Sequence, residues 1–97
     1  MDNATLKALI DEYGDRICAF FIDNEHKILF NYPNSPKISE VELLTIGGLD
    51  FYKIPYVGSS QRPVVKFAGL YRTDCIQHLI FMEPEYADYR VDPMIFR

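Results

Sequence analysis

Residues 41–56, VELLTIGGLDFYKIPY, decide the fold of this chain because they predict a β-hairpin of defined register. Two strand-like runs flank Gly47 and Gly48, and a two-residue Gly-Gly loop suits the positive φ angles of a tight hairpin turn. The loop fixes which residues face each other across the two strands. The predicted pairs are Ile46–Leu49, Leu44–Phe51 and Glu42–Lys53 on one side of the ribbon and Thr45–Asp50, Leu43–Tyr52 and Val41–Ile54 on the other.

Both sides of this hairpin are partly apolar. Such a pattern favours a strongly twisted ribbon that is buried first on one face and then on the other, as in a small barrel. Glu42 and Lys53 are interpreted as a cross-strand ion pair rather than as a catalytic couple. Pro55 either ends the second strand or places it at an edge of the sheet.

The residues before the hairpin predict a helix and two further strands. Asp2 and Asn3 are candidate N-caps, apolar residues recur at helical spacing from Leu6 to Tyr13, and Gly14 is a typical helix stop. RICAFFI and HKILFNY, on either side of DNEH, are rich in β-branched and aromatic residues and indicate a second hairpin.

The residues after the Gly-Gly hairpin predict a flexible loop, VGSSQRP. Two paired strands around RTD are predicted to follow, with Gly69 at a bulge or bend. The predicted elements are a helix at 3–13, strands at 16–22, 27–32, 40–46, 49–56, 64–71 and 75–82, and a tail at 83–97. This order favours a mainly β fold with one N-terminal helix, built as a small, strongly bent antiparallel barrel. The alternative is an α+β open sheet with the helix on one face.

Length and charge narrow the classes of function. A chain of 97 residues with 48% hydrophobic content suits one domain, 1–97, and a core of this size makes oligomerisation an economical way to cover the remaining apolar surface. The formal charge of −4 argues against a protein whose main task is to bind nucleic-acid phosphates.

The apolar runs and the cysteines predict a cytoplasmic protein. The run ICAFFI is far shorter than a membrane span and lacks the layout of a secretion signal. Cys18 and Cys75 are then expected to be reduced thiols that pack as small apolar side chains. The NAT triplet at 3–5 matches a glycosylation acceptor, but we interpret it as part of the helix start.

The stretch TDCIQHLIFMEPEYAD, 73–88, gathers potential ligands and acids. On a strand, Cys75 and His78 point to opposite faces, so a shared metal is not expected, and His78 is interpreted as a satisfied, partly buried side chain. Glu83 and Glu85 follow the strand and are interpreted as solvated. No catalytic residue, metal or cofactor is predicted, and the chain is not expected to be an enzyme.

The tail is the preferred candidate for a contact with another protein. Its acidic front half would favour a basic partner, and its apolar end needs a groove on the same domain or on another chain. The predicted partner-contact residues are Tyr86, Tyr89, Met94, Ile95 and Phe96.

The order of elements resembles the Sm-like small barrel, an N-terminal helix followed by five bent antiparallel strands. The segments that carry the resemblance are TLKALIDEYGDRICAFFIDNEHKILF and TDCIQHLIFMEP. The bacterial RNA-chaperone branch has a Lys-His pair near the last strand that helps to bind RNA, and Gln77 and His78 occupy the matching positions here. The resemblance implies a ring or another oligomer. It also implies an RNA-contact surface formed by His78, Lys53, Lys66 and Tyr52.

Two hypotheses of function follow. The first is a non-enzymatic protein-interaction or assembly module, either alone or as a homo-oligomer, with an unknown protein partner and no membrane contact. The alternative is an Sm-like RNA-binding protein.

Overall fold

The computed structural model describes residues 1–32, 35–61 and 64–86 and has a mainly β architecture with one N-terminal helix. The helix α1 spans Asn3–Tyr13, and the strands are β1 (Ile17–Phe21), β2 (Lys27–Leu29), β3 (Glu42–Ile46), β4 (Leu49–Gln61), β5 (Val64–Arg72) and β6 (His78–Phe81). Short 3₁₀ turns lie at Gly14–Arg16, Ile38–Glu40, Thr73–Cys75 and Pro84–Tyr86.

The described strands form two antiparallel sheets of three strands each. The first sheet has the order β2-β1-β6 and the second sheet has the order β3-β4-β5. No strand of one sheet pairs with a strand of the other within the described ranges, so these strands do not close into a barrel. The open α+β alternative fits this arrangement.

The prediction that the last two strands pair around RTD was wrong. β5 pairs with β4, whereas β6 crosses to the first sheet and pairs with β1. The 3₁₀ turn Thr73–Cys75 separates the two strands, and Thr73 is fully buried there. The chain therefore changes sheets at this turn instead of folding back on itself.

The predicted loop VGSSQRP was also largely wrong, because β4 continues through it to Gln61. The ladder between β4 and β5 shifts register between Ile54, which pairs with Gly69, and Gly58, which pairs with Phe67. Between these two pairs the chain advances four residues along β4 but only two along β5. The extra residues therefore lie on β4 beside Pro55 and not at Gly69. A bulge at this point lets a strand continue past a proline.

The predicted register of the Gly-Gly hairpin is confirmed from Ile46–Leu49 to Glu42–Lys53. Gly47 and Gly48 have φ angles of 59° and 79°, as a tight turn of this type requires. Val41 precedes β3 and has no partner in the ladder. Glu42 and Lys53 face each other but, among the salt bridges of the described residues, do not form one.

The helix has the predicted ends. Asp2 caps it, since its carboxylate accepts a 2.8 Å hydrogen bond from the N–H of Thr5, and this bond lowers the pKa of Asp2. Gly14 ends it with a φ of 46°, and its N–H donates to the carbonyl of Ile10. Leu6 is fully buried and holds the helix on the core.

The core joins the two sheets. Phe20 of β1 packs against Phe30, with ring centroids 4.5 Å apart, and meets Tyr52 of β4 edge to face at 5.6 Å. Ile54 and Leu6 complete the same buried cluster from the second sheet and the helix. All five residues of β1 are buried, so this strand is covered on both faces.

Candidate interaction surface

The inner face of the second sheet packs in the core. Tyr52 and Ile54 on β4 are fully buried, and Tyr71 on β5 stacks on Tyr52 with ring centroids 5.4 Å apart. Burial raises the pKa of Tyr52, so its phenol stays neutral well above the usual tyrosine range. Because side chains alternate along a strand, the residues next to these in sequence, such as Phe51 and Lys53, point away from the core.

The opposite face of the second sheet, called the outer face below, is largely apolar. The ladder arranges it in rows that cross the strands, starting at the hairpin turn. Its members are Ile46 and Leu49 in the first row, Leu44, Phe51 and Arg72 in the second, Glu42, Lys53 and Leu70 in the third, and Ala68 and Lys66 beyond them on β5.

The apolar side chains of the outer face are accessible to solvent. Ile46 is 51% exposed, Leu49 is 43% exposed and Leu70 is 50% exposed, while Leu44 and Phe51 between them are half-buried. Single exposed leucines are common on proteins, but adjacent ones that share a face form a patch. Such a patch is typical of a surface that contacts another macromolecule.

Charged groups border this patch. Lys53 and Lys66 are exposed on β4 and β5. The guanidinium of Arg72 lies 5.9 Å from the ring centroid of Phe51 and donates a 2.6 Å hydrogen bond to Asp74. An apolar centre with charges at its margin is the usual layout of a protein-binding surface.

The strand β5 adds an open edge to the patch. It is the last strand of the second sheet, and on its other face Val65 and Phe67 are exposed, Phe67 by 52%. These two residues lie beyond the bulge, where β4 and β5 continue past the core as a two-stranded ribbon. Exposed apolar residues therefore lie on both faces of β5, with Leu70 on the outer face and Phe67 on the other.

Asn3 of the helix fixes the hairpin that carries the outer face. Its backbone N–H donates to Asp50 at 2.8 Å, and its side-chain amide donates to the carbonyls of Leu44 at 2.9 Å and Phe51 at 3.3 Å. Its amide oxygen accepts a 2.6 Å bond from Thr73. The amide nitrogen is thus engaged by the protein itself, as expected for part of a helix start and not for a glycosylation site.

A shallow cleft of about 240 Å³ opens at the turn end of the second sheet. Its lining is Met1, Asp2, Gly48, Leu49, Asp50, Arg72 and Asp74. Each carboxylate already has a partner: Asp2 caps the helix, Asp50 accepts bonds from Asn3 and Thr45, and Asp74 binds Arg72. These acids stabilise the local structure, and the cleft offers no pair of carboxylates set for catalysis.

The predicted contact residues of the tail fall mostly outside the described residues. Tyr86 is exposed at the end of the last 3₁₀ turn. Tyr89, Met94, Ile95 and Phe96 lie outside the described ranges.

The residues that the Sm-like resemblance implied for RNA contact do not share one surface. Lys53 and Lys66 lie on the outer face, whereas His78 belongs to the first sheet, where it is exposed and stacks on Phe21 at 4.5 Å. Tyr52 is fully buried and has no face open to a base. The expectation of a partly buried His78 was also wrong.

The stretch 73–88 holds no assembled metal or catalytic site in its described part. Cys75 is exposed, contrary to prediction, with its thiol 3.6 Å from Asp74, while Cys18 is buried as predicted. Among the residues that the structure describes, no three His, Cys, Asp or Glu side chains cluster closely enough to hold a metal ion.

The other histidine, His26, lies in an exposed turn beside Asp23. Its Nδ1 is 2.8 Å from one oxygen of that carboxylate. The hydrogen bond to Asp23, followed by the attraction of its charge, raises the pKa of His26. This ion pair joins the first and last residues of the DNEH turn between β1 and β2.

The second set of apolar residues along the Gly-Gly hairpin is visible in the sequence, but the predicted barrel places it in the interior. Ile46 and Leu49 were expected to be covered because a barrel would bury both sides of the hairpin. The structure covers one side only, so the second set of apolar residues is left on the surface.

Comparisons with protein-family models, with curated proteins and with solved structures found no match to this chain. No helix in the described ranges is long and apolar enough to cross a membrane.

Proposed function

We propose that this chain is a non-enzymatic protein-interaction or assembly module that contacts its partner through the outer face. The observation that carries the proposal is the exposure of Ile46, Leu49 and Leu70 on one continuous sheet face. Burying such a patch gains roughly 25 cal/mol per Å² of apolar area, before the costs of association are subtracted.

Each part of the second sheet has its own role in this contact. The apolar rows supply contact area, and the charges of Glu42, Lys53 and Lys66 at the margin orient the partner and reject unsuitable ones. The bonds from Asn3 hold the hairpin in place, so little order has to be gained on binding. The two free cysteines support a cytoplasmic location for this contact.

The test compares co-purification by the wild-type chain with that by the double variant Ile46→Glu/Leu49→Lys. These residues face each other across the hairpin, so the substitutions place opposite charges together, keep the net charge and remove the apolar row next to the turn. The control, Ala8→Glu/Asn24→Lys, changes two exposed positions outside the second sheet by the same charges.

We expect the outer-face variant to lose the co-purifying polypeptides and the control to keep them. Identical profiles for all three proteins would contradict the proposal.

An RNA-binding role, similar to that of Sm-like proteins, is the second candidate. It is favoured by the presence of Lys53 and Lys66 on one face with Phe51. A labelled single-stranded oligonucleotide titrated at low ionic strength discriminates the two, because phosphate contacts strengthen as salt is lowered. Binding that is lost in Lys53→Gln/Lys66→Gln would favour this second function.

A further inference from the structure

The edge of β5 is built like a strand that pairs with another strand. β5 has nine residues, and within the described part of the chain only its β4 side is paired. Proteins usually protect such an edge with charges, prolines or bulges. β5 contains no proline, its ladder irregularity lies on β4, and Lys66 is the only charge before Arg72 at its end.

We propose that β5 pairs antiparallel with β5 of a second copy of this chain, centred on Ala68, so that two sheets join into one of six strands. The inference rests on the proposed function, because it names the partner for the β5 side of the second sheet. Strand addition at an exposed edge is a common mode of recognition, in which backbone hydrogen bonds provide affinity.

The length and charges of β5 select this register. A two-fold axis at Ala68, the middle of Val64–Arg72, pairs all nine residues and places Lys66 opposite the partner's Leu70. An axis at Gly69 would place Lys66 opposite the partner's Arg72, and an axis at Lys66 would place two lysines opposite each other. Like charges directly opposite destabilise a strand pair.

The charges that remain closest in the chosen register are also accommodated. Lys66 is diagonal to the partner's Arg72, but the guanidinium of Arg72 is already bonded to Asp74 at 2.6 Å. The aliphatic stem of Lys66 can lie along the partner's Leu70, which is 50% exposed in the single chain.

The same register brings two aromatic residues together on the other face of the sheet. Phe67, which is 52% exposed, comes to lie opposite the partner's Gly69. Gly69 has no side chain, and the ring of Tyr71 lies so close that a Cβ at Gly69 would be 2.5 Å from it. Phe67 of one copy can therefore pack on the Tyr71 ring that lies over Gly69 of the other copy.

The expected dimer is weak and depends on concentration. A single pair of strands is a small contact, and weak, transient complexes bury less than about 1,200 Å² in total. Light scattering on a sizing column and sedimentation equilibrium over a range of protein concentrations would measure it.

The decisive variants are Ala68→Glu and Ala68→Lys, because position 68 meets itself in the proposed dimer. Ala68 is exposed in the single chain, so neither substitution disturbs the fold, which circular dichroism would verify. Each variant alone should self-associate about ten-fold more weakly than wild type at low salt, because two like charges face each other.

Mixing the two variants in equal amounts should restore dimerisation, since Glu then faces Lys. The control Ala8→Glu, an exposed helix position, should dimerise like wild type. A wild-type chain that stays monomeric at high concentration, single variants that dimerise normally, or a mixture that stays dissociated would each overturn the proposal.

These results separate the inference from the proposed function. If the wild-type chain is monomeric but Ile46→Glu/Leu49→Lys still loses its co-purifying polypeptides, self-pairing fails and the interaction role stands. If that variant keeps its partners, the proposed function itself fails.

Discussion

Thr73 donates a 2.6 Å hydrogen bond to the side-chain oxygen of Asn3, a residue 70 positions away in sequence. The bond joins the first turn of the helix to the segment where the chain crosses between the two sheets. Asn3 also donates to the carbonyls of Leu44 and Phe51, so this one side chain ties three elements together. This junction adds polar contacts to the apolar core that joins the helix and the two sheets.

Replacing Asn3 by alanine should therefore destabilise the whole fold. The carbonyls of Leu44 and Phe51 and the hydroxyl of Thr73 would lose their partner, and an unmatched buried polar group costs about 1–3 kcal/mol. Urea unfolding would measure the loss. Asn24→Ala, at an exposed turn position, is the matched control and should stay within about 0.5 kcal/mol of wild type.

Asn31 should be equally sensitive, for two separable reasons. It has a φ of 66°, its side-chain amide donates to Ile17 at 2.8 Å, and its oxygen accepts from Ile38 at 3.1 Å. Asn31→Gly keeps the backbone conformation and loses the bonds, whereas Asn31→Ala loses the bonds and adds backbone strain. We expect both to lower the unfolding free energy, and alanine by roughly 1 kcal/mol more than glycine. Equal losses would argue that backbone strain contributes nothing.

Tyr52→Phe should leave stability unchanged or raise it by up to about 1 kcal/mol. The hydroxyl of Tyr52 is buried without a hydrogen-bond partner, so its removal relieves a desolvation cost while the ring contacts with Phe20 remain. Thermal or urea unfolding would test this, with Phe20→Ala as the contrasting cavity variant that should lose about 3–5 kcal/mol. A clear loss of stability in Tyr52→Phe would mean that the hydroxyl is satisfied in solution.

The His26–Asp23 pair predicts a specific response to pH. Because the hydrogen bond to Asp23 raises the folded-state pKa of His26, the pair stabilises the protein fully below the ordinary imidazole pKa of about 6.5. This stability is lost as pH rises through the higher folded-state pKa. An NMR titration of the His26 ring should show the raised pKa, and Asp23→Asn should bring it back towards the ordinary value. An unchanged titration in Asp23→Asn would contradict the pairing.

Local signals in the sequence predicted the helix and the Gly-Gly hairpin because the determinants are neighbours in the chain. Asp2 caps a helix within three residues, and the φ angles of Gly47 and Gly48 set the register of the hairpin. No comparable local signal shows that β6 pairs with β1, since the two strands are far apart in sequence.

The candidate surface could be predicted only in part for a related reason. The alternation along the hairpin separates Tyr52 and Ile54 from Leu49 and Phe51, but both sets are apolar. The pattern defines two faces and does not say which one meets the core. That choice is made by the helix and the first sheet, which cover the face with Tyr52.

The most direct test of the interaction role places a photo-reactive benzophenone side chain at Leu49 on the outer face, with the same group at Glu12 on the exposed side of the helix as control. The account predicts that irradiation of cells links a polypeptide to the chain at Leu49 and not at Glu12. No adduct at Leu49, or equal adducts at both positions, would contradict it.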